Sequence, residues 1–244
     1  MMIETRFLGG YYMGECIIIA HRGASGLAPE NTLLAYRIAI ELGADMIELD
    51  VHETNDGYLV CIHDYEVDRT TDGTGAIAEL SLKELQKLDA GQHEHIPLLS
   101  EVLEHAHGKI RVNIELKVTD VEKQVVQLVR EKRMTDHVVV SSFLHGTLEA
   151  MHEVDPTITT AVLVSKPMED LVEYVSDLKA KALNPLHTMV TSELINQMHN
   201  HNIQVFPWTI NDSSTMLHLV RMRIDGLITD YPDIAIETLR SMRY

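Results

Sequence analysis

Cysteine, basic side chains and long apolar runs are all scarce in this chain of 244 residues. Cys16 and Cys61 are the only cysteines and no C-x-x-C or zinc-finger spacing occurs, which excludes a disulfide framework and favours a reducing compartment. The 20 basic residues face 37 acidic ones, and a net charge of −17 argues against a nucleic-acid-binding surface, because phosphate backbones select clustered Lys and Arg. No stretch approaches the roughly 18 apolar residues of a membrane span, and the polar N-terminal residues are unlike a signal peptide. We therefore predict a cytoplasmic protein without stable membrane insertion.

The overall composition is that of an ordinary globular protein. Hydrophobic residues make up 45% of the chain and charged residues 23%, which supports a sizeable core. The length fits either two average domains or one large barrel, so the order of predicted elements must decide between them.

Short β-branched apolar runs alternate with segments of helical period along almost the whole chain. Ala35, Ile38, Ala39 and Leu42, for example, recur at the i, i+3, i+4, i+7 spacing of one helix face. This alternation is typical of parallel βα units, and near-continuous apolar runs indicate strands covered on both faces. The predicted strands are 17–20, 46–51, 58–62, 110–116, 137–141, 158–164, 180–183, 203–207 and 224–229.

The number of elements predicts the fold. With 58–62 set aside, eight strands remain with eight helical segments, which predicts an α/β protein with a single (β/α)8 TIM barrel of the usual size, about 250 residues. The interval of about 52–108 breaks the alternation, and we interpret it as a small inserted segment after the second strand, over one mouth of the barrel. Residues 1–16 are predicted to be an N-terminal extension and 17–244 a single barrel domain.

Three carboxylates lie near the C-terminal ends of predicted strands, where barrel enzymes place their active sites. Glu48 and Asp50 are two residues apart in the second strand and therefore point to the same face, and Glu115 lies on the inward face of a later strand. Burying three carboxylates in one mouth is prohibitive unless a cation compensates them. The pattern predicts one hard divalent ion, Mg²⁺ or Ca²⁺.

Two histidines and two cationic side chains follow strands in the same way. His21 comes directly after the first strand and His63 begins the inserted loop, so the two imidazoles are candidates for an acid and a base. Arg22 and Lys117 offer positive charge to an anionic group. A metal, cations and paired imidazoles together predict phosphoryl chemistry. We interpret ten other histidines as surface residues: His93, His95, His105, His107, His145, His152, His187, His199, His201 and His218.

At this level of detail the chain closely resembles the glycerophosphodiester phosphodiesterase family. The matching stretches occur in family order and span roughly 17–244. They are 21–32 (HRGASGLAPENT), 47–51 (IELDV), 63–64 with 68–75 (HD and DRTTDGTG), 88–91 (LDAG), 114–117 (IELK), 208–211 (WTIN) and 225–232 (DGLITDYP).

The resemblance implies a barrel that hydrolyses glycerophosphodiesters to sn-glycerol 3-phosphate and an alcohol. In the family's mechanism the glycerol 2-hydroxyl attacks phosphorus, and water then opens the cyclic phosphate. Trp208 is similar to an aromatic residue that lines the family's pocket, although a Trp at this position could equally be a core residue. The other matching roles are the acid/base pair His21 and His63, the metal ligands Glu48, Asp50 and Glu115, and the phosphate-binding cations Arg22 and Lys117.

The chain departs from the family pattern at Leu98, where a hydroxyl residue is common, and Met13 is an alternative start to Met1. Two other functions stay open: a phospholipase C- or D-like lipid phosphodiesterase, which needs an apolar or basic rim, and a non-catalytic barrel that binds phosphodiesters. The sequence leaves open the preferred alcohol, the choice between Mg²⁺ and Ca²⁺, the identity of the base and the oligomeric state. We expect broad specificity, because the recognisable contacts all address the glycerophosphate part.

Overall fold

The computed structural model describes residues 16–242, which form nine β-strands and nine α-helices. The strands are β1 (Ile17–Ala20), β2 (Met46–Glu53), β3 (Leu59–Cys61), β4 (Arg111–Leu116), β5 (Val138–Ser142), β6 (Thr159–Val164), β7 (Ala182–Pro185), β8 (Gln204–Val205) and β9 (Gly226–Thr229). The helices are α1 (Leu33–Leu42), α2 (Leu82–Leu85), α3 (Leu99–Ala106), α4 (Glu122–Glu131), α5 (His145–Val154), α6 (Leu171–Asp177), α7 (Ser192–Asn200), α8 (Ser213–Arg221) and α9 (Pro232–Ser241). None of these helices is long and apolar enough to cross a bilayer.

Eight parallel strands form the barrel. They lie side by side in the order β8-β7-β6-β5-β4-β2-β1-β9. Between β8 and β9, the backbone N–H groups of Asp225 and Ile228 donate to the carbonyls of Val205 (3.1 Å) and Pro207 (3.0 Å). The predicted (β/α)8 TIM barrel is confirmed.

Two histidines predicted to lie on the surface instead bind groups at strand ends. His199 Nε2 lies 2.9 Å from Asp225 Oδ2, which also accepts the Val205 N–H at 2.8 Å and so supports the junction of β8 and β9. His145 Nε2 lies 2.8 Å from the carbonyl oxygen of Leu163. Both residues are half-buried, so the surface prediction holds for them only in part: each helix leaves its imidazole partly exposed and directs it to a group at a strand end.

The first barrel helix shows why these segments become helical. Thr32 Oγ1 accepts the Ala35 N–H at 3.2 Å and supplies a partner for the start of α1. Gly43 ends the helix in the left-handed region, at φ 93°, where glycine has no steric penalty. Ala35 and Ala39, on the predicted apolar face, are fully buried against the sheet.

The chain between β2 and β4 forms an additional unit at the mouth. Strand β3 pairs antiparallel with β2, and a separate buried cluster joins β3 to α2. Helix α3 lies within the predicted insertion of about 52–108 but occupies the place of a barrel helix before β4. The predicted N-terminal extension of residues 1–16 lies outside the described residues except for Cys16.

The barrel interior is apolar toward the N-terminal ends of the strands and polar toward their C-terminal ends. Strand tilt brings the inward side chains of alternate strands to one level, so the interior fills in layers. The layers toward the N-terminal ends of the strands contain Ile19, Met46, Val139 and Phe206, which pack in one buried cluster. The polar side chains are therefore confined to the layers at the C-terminal ends of the strands. We call this end of the barrel the mouth.

Candidate active site

Three predicted metal-ligand candidates come together at the mouth. One carboxylate oxygen each from Glu48, Asp50 and Glu115 lies within 4.8 Å of the other two, and all three residues are buried. Register explains the arrangement, because Asp50 of β2 pairs directly with Glu115 of β4 and Glu48 lies two residues earlier on the same face. We call these residues the acidic trio.

The acidic trio is electrostatically suited to a cation. Burial, followed by the charge of Asp50, raises the pKa of Glu48 to about 8, and the same two causes raise the pKa of Glu115. Glu48 Oε1 is buried without a hydrogen-bond partner among the described residues, and Asp50 Oδ1 has no hydrogen bond there although the Lys117 ammonium lies 3.3 Å away. A buried carboxylate oxygen without a partner is costly, and oxygen donors of this kind are the ligands that Mg²⁺ and Ca²⁺ prefer. The residues present therefore fit a divalent ion.

Both predicted phosphate-binding cations lie beside the acidic trio. Arg22 directs its backbone N–H to Glu48 Oε2 at 2.8 Å, and its Nε lies 3.3 Å from Asp50 Oδ2. Lys117 Nζ donates to Glu115 Oε1 at 2.7 Å and lies 3.3 Å from Asp50 Oδ1. Arg22 has φ 55°, a strained left-handed conformation of the kind that concentrates at functional sites.

Asn31 is a buried contact of the site that sequence reasoning missed. Its Nδ2 donates to Asp50 Oδ2 at 2.9 Å, while its Oδ1 accepts the Tyr36 hydroxyl at 2.9 Å. These bonds fix the orientation of Asp50 from a loop 19 residues earlier. The sequence could have pointed to Asn31, because this residue lies inside the stretch 21–32 that matches the family.

His21 is held by the carboxylate of Asp230, the residue that follows the last strand of the barrel. Its Nδ1 lies 2.6 Å from Asp230 Oδ1, and Asp230 also accepts bonds from Ser25 Oγ (3.0 Å) and Asn211 Nδ2 (2.6 Å). Burial alone would lower the pKa of His21, but the hydrogen bond to Asp230 and the charge of Glu48 raise it overall. Asp230 was missed, although it follows β9 at the edge where His21 follows β1.

His63 has the same type of support from a different carboxylate. Its Nδ1 lies 2.6 Å from Asp64 Oδ1, and its backbone carbonyl oxygen lies 3.1 Å from His52 Nε2. Burial lowers the pKa of His63 and outweighs the effect of Asp50 and Asp64, which raise it. Among residues 16–242, neither His21 nor His63 has a hydrogen-bond partner at Nε2.

Trp208 lies at the mouth and is half-buried. Its Nε1 donates to the carbonyl oxygen of Asn184 at 2.9 Å, which fixes the indole across β7. Phe143, which is 41% exposed, meets it edge to face at 5.6 Å between ring centroids. Phe143 is a second aromatic residue at the mouth that sequence reasoning missed.

Fold and site together define the class of the protein. Oxygen ligands suited to a cation, two imidazoles each held at Nδ1, and cations beside them are groups that phosphoryl chemistry can use. A (β/α)8 barrel that carries them at its mouth has the architecture of a TIM-barrel enzyme, with a site suited to a phosphoric diester.

Comparison with known proteins assigns the family within that class. Residues 21–234 match the sequence model of the Glycerophosphoryl diester phosphodiesterase family, and the chain belongs to that family.

Individual relatives match over nearly the full chain. YhdW of Bacillus subtilis (strain 168) is 40% identical over 90% of this chain and 96% of its own length. The glycerophosphodiester phosphodiesterase of Caldanaerobacter subterraneus subsp. tengcongensis is 36% identical over 93% of this chain and 98% of its own. Among solved structures, a phosphodiesterase from Oleispira antarctica, in complex with the product sn-glycerol-3-phosphate, has a TM-score of 0.85 at 31% identity, covering 92% of this chain and 96% of that one.

Proposed function

We propose that this enzyme hydrolyses glycerophosphodiesters to sn-glycerol 3-phosphate and an alcohol, with a divalent cation and with His21 and His63 as acid and base. One observation carries the proposal: two imidazoles, each held at Nδ1 by a carboxylate 2.6 Å away, lie beside the acidic trio. The Oleispira relative bound to sn-glycerol-3-phosphate supports the assignment of the product.

Glu48, Asp50 and Glu115 would hold the cation, either Mg²⁺ or Ca²⁺. When bound, such an ion supplies Lewis-acid stabilisation of negative charge on the phosphoryl oxygens. Arg22 and Lys117 would bind the phosphate from the same side, since both already lie against the carboxylates that would hold the ion. The guanidinium of Arg22 can contact two phosphate oxygens at once, whereas Lys117 acts as a point charge.

His63 is the proposed base and His21 the proposed acid of the first step. A lowered pKa favours the neutral form of the His63 imidazole, and a raised pKa favours the protonated form of the His21 imidazole. His63 takes the proton of the glycerol 2-hydroxyl, whose oxygen bonds to phosphorus while the bond from phosphorus to the alcohol oxygen breaks. His21 gives its proton to the departing alkoxide. Water opens the resulting cyclic phosphate, with the two histidines exchanging roles.

The pH dependence of kcat/KM is expected to be bell-shaped. The acidic limb reflects protonation of the base, whose pKa is lowered, and the alkaline limb reflects loss of the proton from the acid, whose pKa is raised. Between the limbs the productive form, neutral His63 with charged His21, is the major one. Both limbs belong to the coupled pair. A profile that rises without a second limb, measured on glycerophosphocholine, would contradict two-histidine catalysis.

Arg22→Lys tests the proposed phosphate contact. We expect kcat/KM to fall roughly tenfold or more, because an ammonium cannot reproduce a two-point contact with phosphate and cannot hold Glu30 at the same time. Steady-state kinetics on glycerophosphocholine provide the measurement. The matched control is Arg37→Lys, an exposed helix residue that pairs only loosely with Glu41 at 4.0 Å. An unchanged kcat/KM in Arg22→Lys would show that the assigned contact is wrong.

A lipid phosphodiesterase is the second candidate, because several large apolar side chains are exposed on loops of the mouth. Tyr65 is 63% exposed, Leu27 45% and Phe143 41%. Such a rim can contact lipid, although a net charge of −17 disfavours an anionic bilayer. Co-sedimentation with neutral and with anionic vesicles separates this candidate from the first. A barrel that only binds phosphodiesters, the third alternative, would release no product.

A substrate panel tests the proposed function directly. Release of sn-glycerol 3-phosphate is measured from glycerophosphocholine, glycerophosphoethanolamine, glycerophosphoglycerol and glycerophosphoinositol, with Mg²⁺ or Ca²⁺ and after chelation. We expect turnover of several of these diesters and loss of turnover after chelation. Full activity after exhaustive chelation, or no activity on any diester, would contradict the proposal. The cytoplasmic location stays a prediction from composition.

A further inference from the structure

Arg69 lies between two carboxylates of the mouth and contacts both through its guanidinium group. Its Nε and Nη2 donate to Asp64 at 2.6 and 3.1 Å. Its Nη1 and Nη2 donate to Glu30 at 2.8 and 2.7 Å. Arg69 comes from the inserted segment, whereas Glu30 lies in the loop after β1, so the guanidinium joins two separate loops.

Each of these carboxylates holds a residue that the proposed function uses. Asp64 Oδ1 lies 2.6 Å from Nδ1 of His63, the proposed base. Glu30 Oε1 accepts a bond of 2.8 Å from Nη1 of Arg22, the proposed phosphate ligand. The contacts therefore run without a gap from Arg22 through Glu30, Arg69 and Asp64 to His63.

The loop that carries Arg69 is fixed by its own hydrogen bonds. Asp68 accepts from Thr74 Oγ1 at 2.6 Å and from the Gly75 N–H at 2.9 Å, which closes the loop around Arg69. Gly73 packs closely against the end of the Leu88 side chain, which a Cβ at this position would approach to 2.6 Å. The stretch 68–75 thus presents Arg69 from a rigid base.

We propose that Arg69 is a positioning residue that holds the base His63 and the phosphate ligand Arg22 in one fixed geometry. This inference rests on the proposed function. Arg69 acts through Asp64 and Glu30 and has no contact of its own with the acidic trio. An arginine suits this role because its planar guanidinium directs five N–H donors in fixed directions, which allows two carboxylates to be held at once.

Electrostatics support the same role. The hydrogen bond from Arg69 is the largest cause that lowers the pKa of Asp64. Burial would raise the pKa of Glu30, but bonds from Arg69 and Arg22 lower it overall. Both carboxylates are thereby kept ionised and able to accept from His63 Nδ1–H and from Arg22. Without Arg69, two acidic side chains at the mouth would lose a shared counter-charge.

Substitution of Arg69 provides the first test. We expect Arg69→Met to lower kcat/KM about 10- to 100-fold, the usual loss when a group that orients a functional residue is removed. Arg69→Lys should lose less, because an ammonium can keep one of the two carboxylates. Arg130→Met is the matched control: Arg130 also contacts a carboxylate through two nitrogens, at 2.9 and 2.8 Å from Asp155, but lies on α4 away from the mouth. Its kcat/KM should stay within twofold of wild type.

Double mutants separate positioning from a general structural effect. In an Asp64→Asn background the contact of Arg69 with His63 through the Asp64 carboxylate is already broken, so Arg69→Met should cause no further fall in kcat. In a Glu30→Gln background the path to Arg22 is broken, so Arg69→Met should cause no further rise in KM. Coupling of this kind is what double-mutant cycles measure. A residue that only stabilises the fold would lower kcat and raise KM equally in every background.

The outcomes distinguish this inference from the proposed function. A wild-type enzyme that releases no sn-glycerol 3-phosphate contradicts the proposed function. Two results would overturn the role of Arg69 alone while the wild type is active. In the first, kcat/KM of Arg69→Met stays within twofold of wild type. In the second, the loss caused by Arg69→Met is the same in the Asp64→Asn and Glu30→Gln backgrounds as in wild type. Thermal unfolding checks that each variant folds, and Arg69→Lys replaces Arg69→Met in both cycles if the methionine variant does not.

Discussion

Replacing Glu48 by glutamine is expected to lower kcat/KM by at least about 100-fold, because the amide removes one charged ligand while keeping the shape. The amide oxygen can still accept the Arg22 N–H that Glu48 accepts at 2.8 Å. The metal-free protein should not be less stable than wild type, since burial and Asp50 raise the pKa of Glu48 to about 8 and so disfavour its ionised form in the fold. Calorimetry with Mg²⁺ and Ca²⁺ should show weaker binding, and the rise in Tm on adding metal should shrink.

The control for this experiment is Asp155→Asn. Asp155 is a buried carboxylate that accepts from Arg130 and Thr157, outside the mouth. Its replacement should change stability but leave the response of Tm to metal as in wild type. A Glu48→Gln enzyme with unchanged metal affinity would show that the acidic trio does not hold the ion.

Removing either histidine of the pair is expected to lower kcat on glycerophosphocholine about 10²- to 10⁴-fold, the usual size of a general acid or base contribution. The two variants should differ on a diester whose leaving group is p-nitrophenolate. That anion is stable without a proton, so loss of the acid costs less there. His21→Ala should be partly rescued, and His63→Ala should not be.

The control for the histidine pair is His93→Ala, because the His93 side chain is 99% exposed. Its kcat should match wild type on both substrates. Equal and unrescued losses in both variants would contradict the division of labour between acid and base. Rescue of His63→Ala alone would reverse the assignment drawn from the opposite pKa directions of the two imidazoles.

Much of the fold was predictable because local patterns report strands directly. Near-continuous apolar runs marked the barrel strands, and the structure has strands in all eight predicted positions. Several boundaries differ by one or two residues: β7 is Ala182–Pro185 rather than 180–183, β9 begins at Gly226 rather than at 224, and β8 ends at Val205, whereas the apolar run extends to Pro207. Hydrogen bonds between β7 and the chain after β8 continue past this point, since the Phe206 and Trp208 N–H groups donate to Leu183 (2.9 Å) and Pro185 (3.1 Å). Pro185 has no N–H to donate in return, so the ladder is interrupted there.

The grouping of the acidic trio was also predictable. Two-residue spacing places Glu48 and Asp50 on one face of β2, and the same period relates Glu115 on β4 to Lys117 directly after that strand. Parallel strands bring their C-terminal ends to one edge, so these residues had to converge once the barrel was inferred. His21, directly after β1, followed from the same rule, whereas His63 follows the antiparallel strand β3 and was singled out because it directly follows an apolar run.

The partners of these residues were not predictable, because spacing along the chain says nothing about which loops meet. Asp230 reaches His21 across 209 residues, and Arg69 reaches Glu30 across 39. Both residues lie inside stretches that match the family, 68–75 and 225–232, but nothing in those stretches says which loop each side chain reaches. The order of motifs in the sequence by itself determined the barrel and the chemical groups at its mouth. Only the tertiary structure decided that Asp230 holds His21, because barrel closure, rather than any local periodicity, brings the first and last strands together.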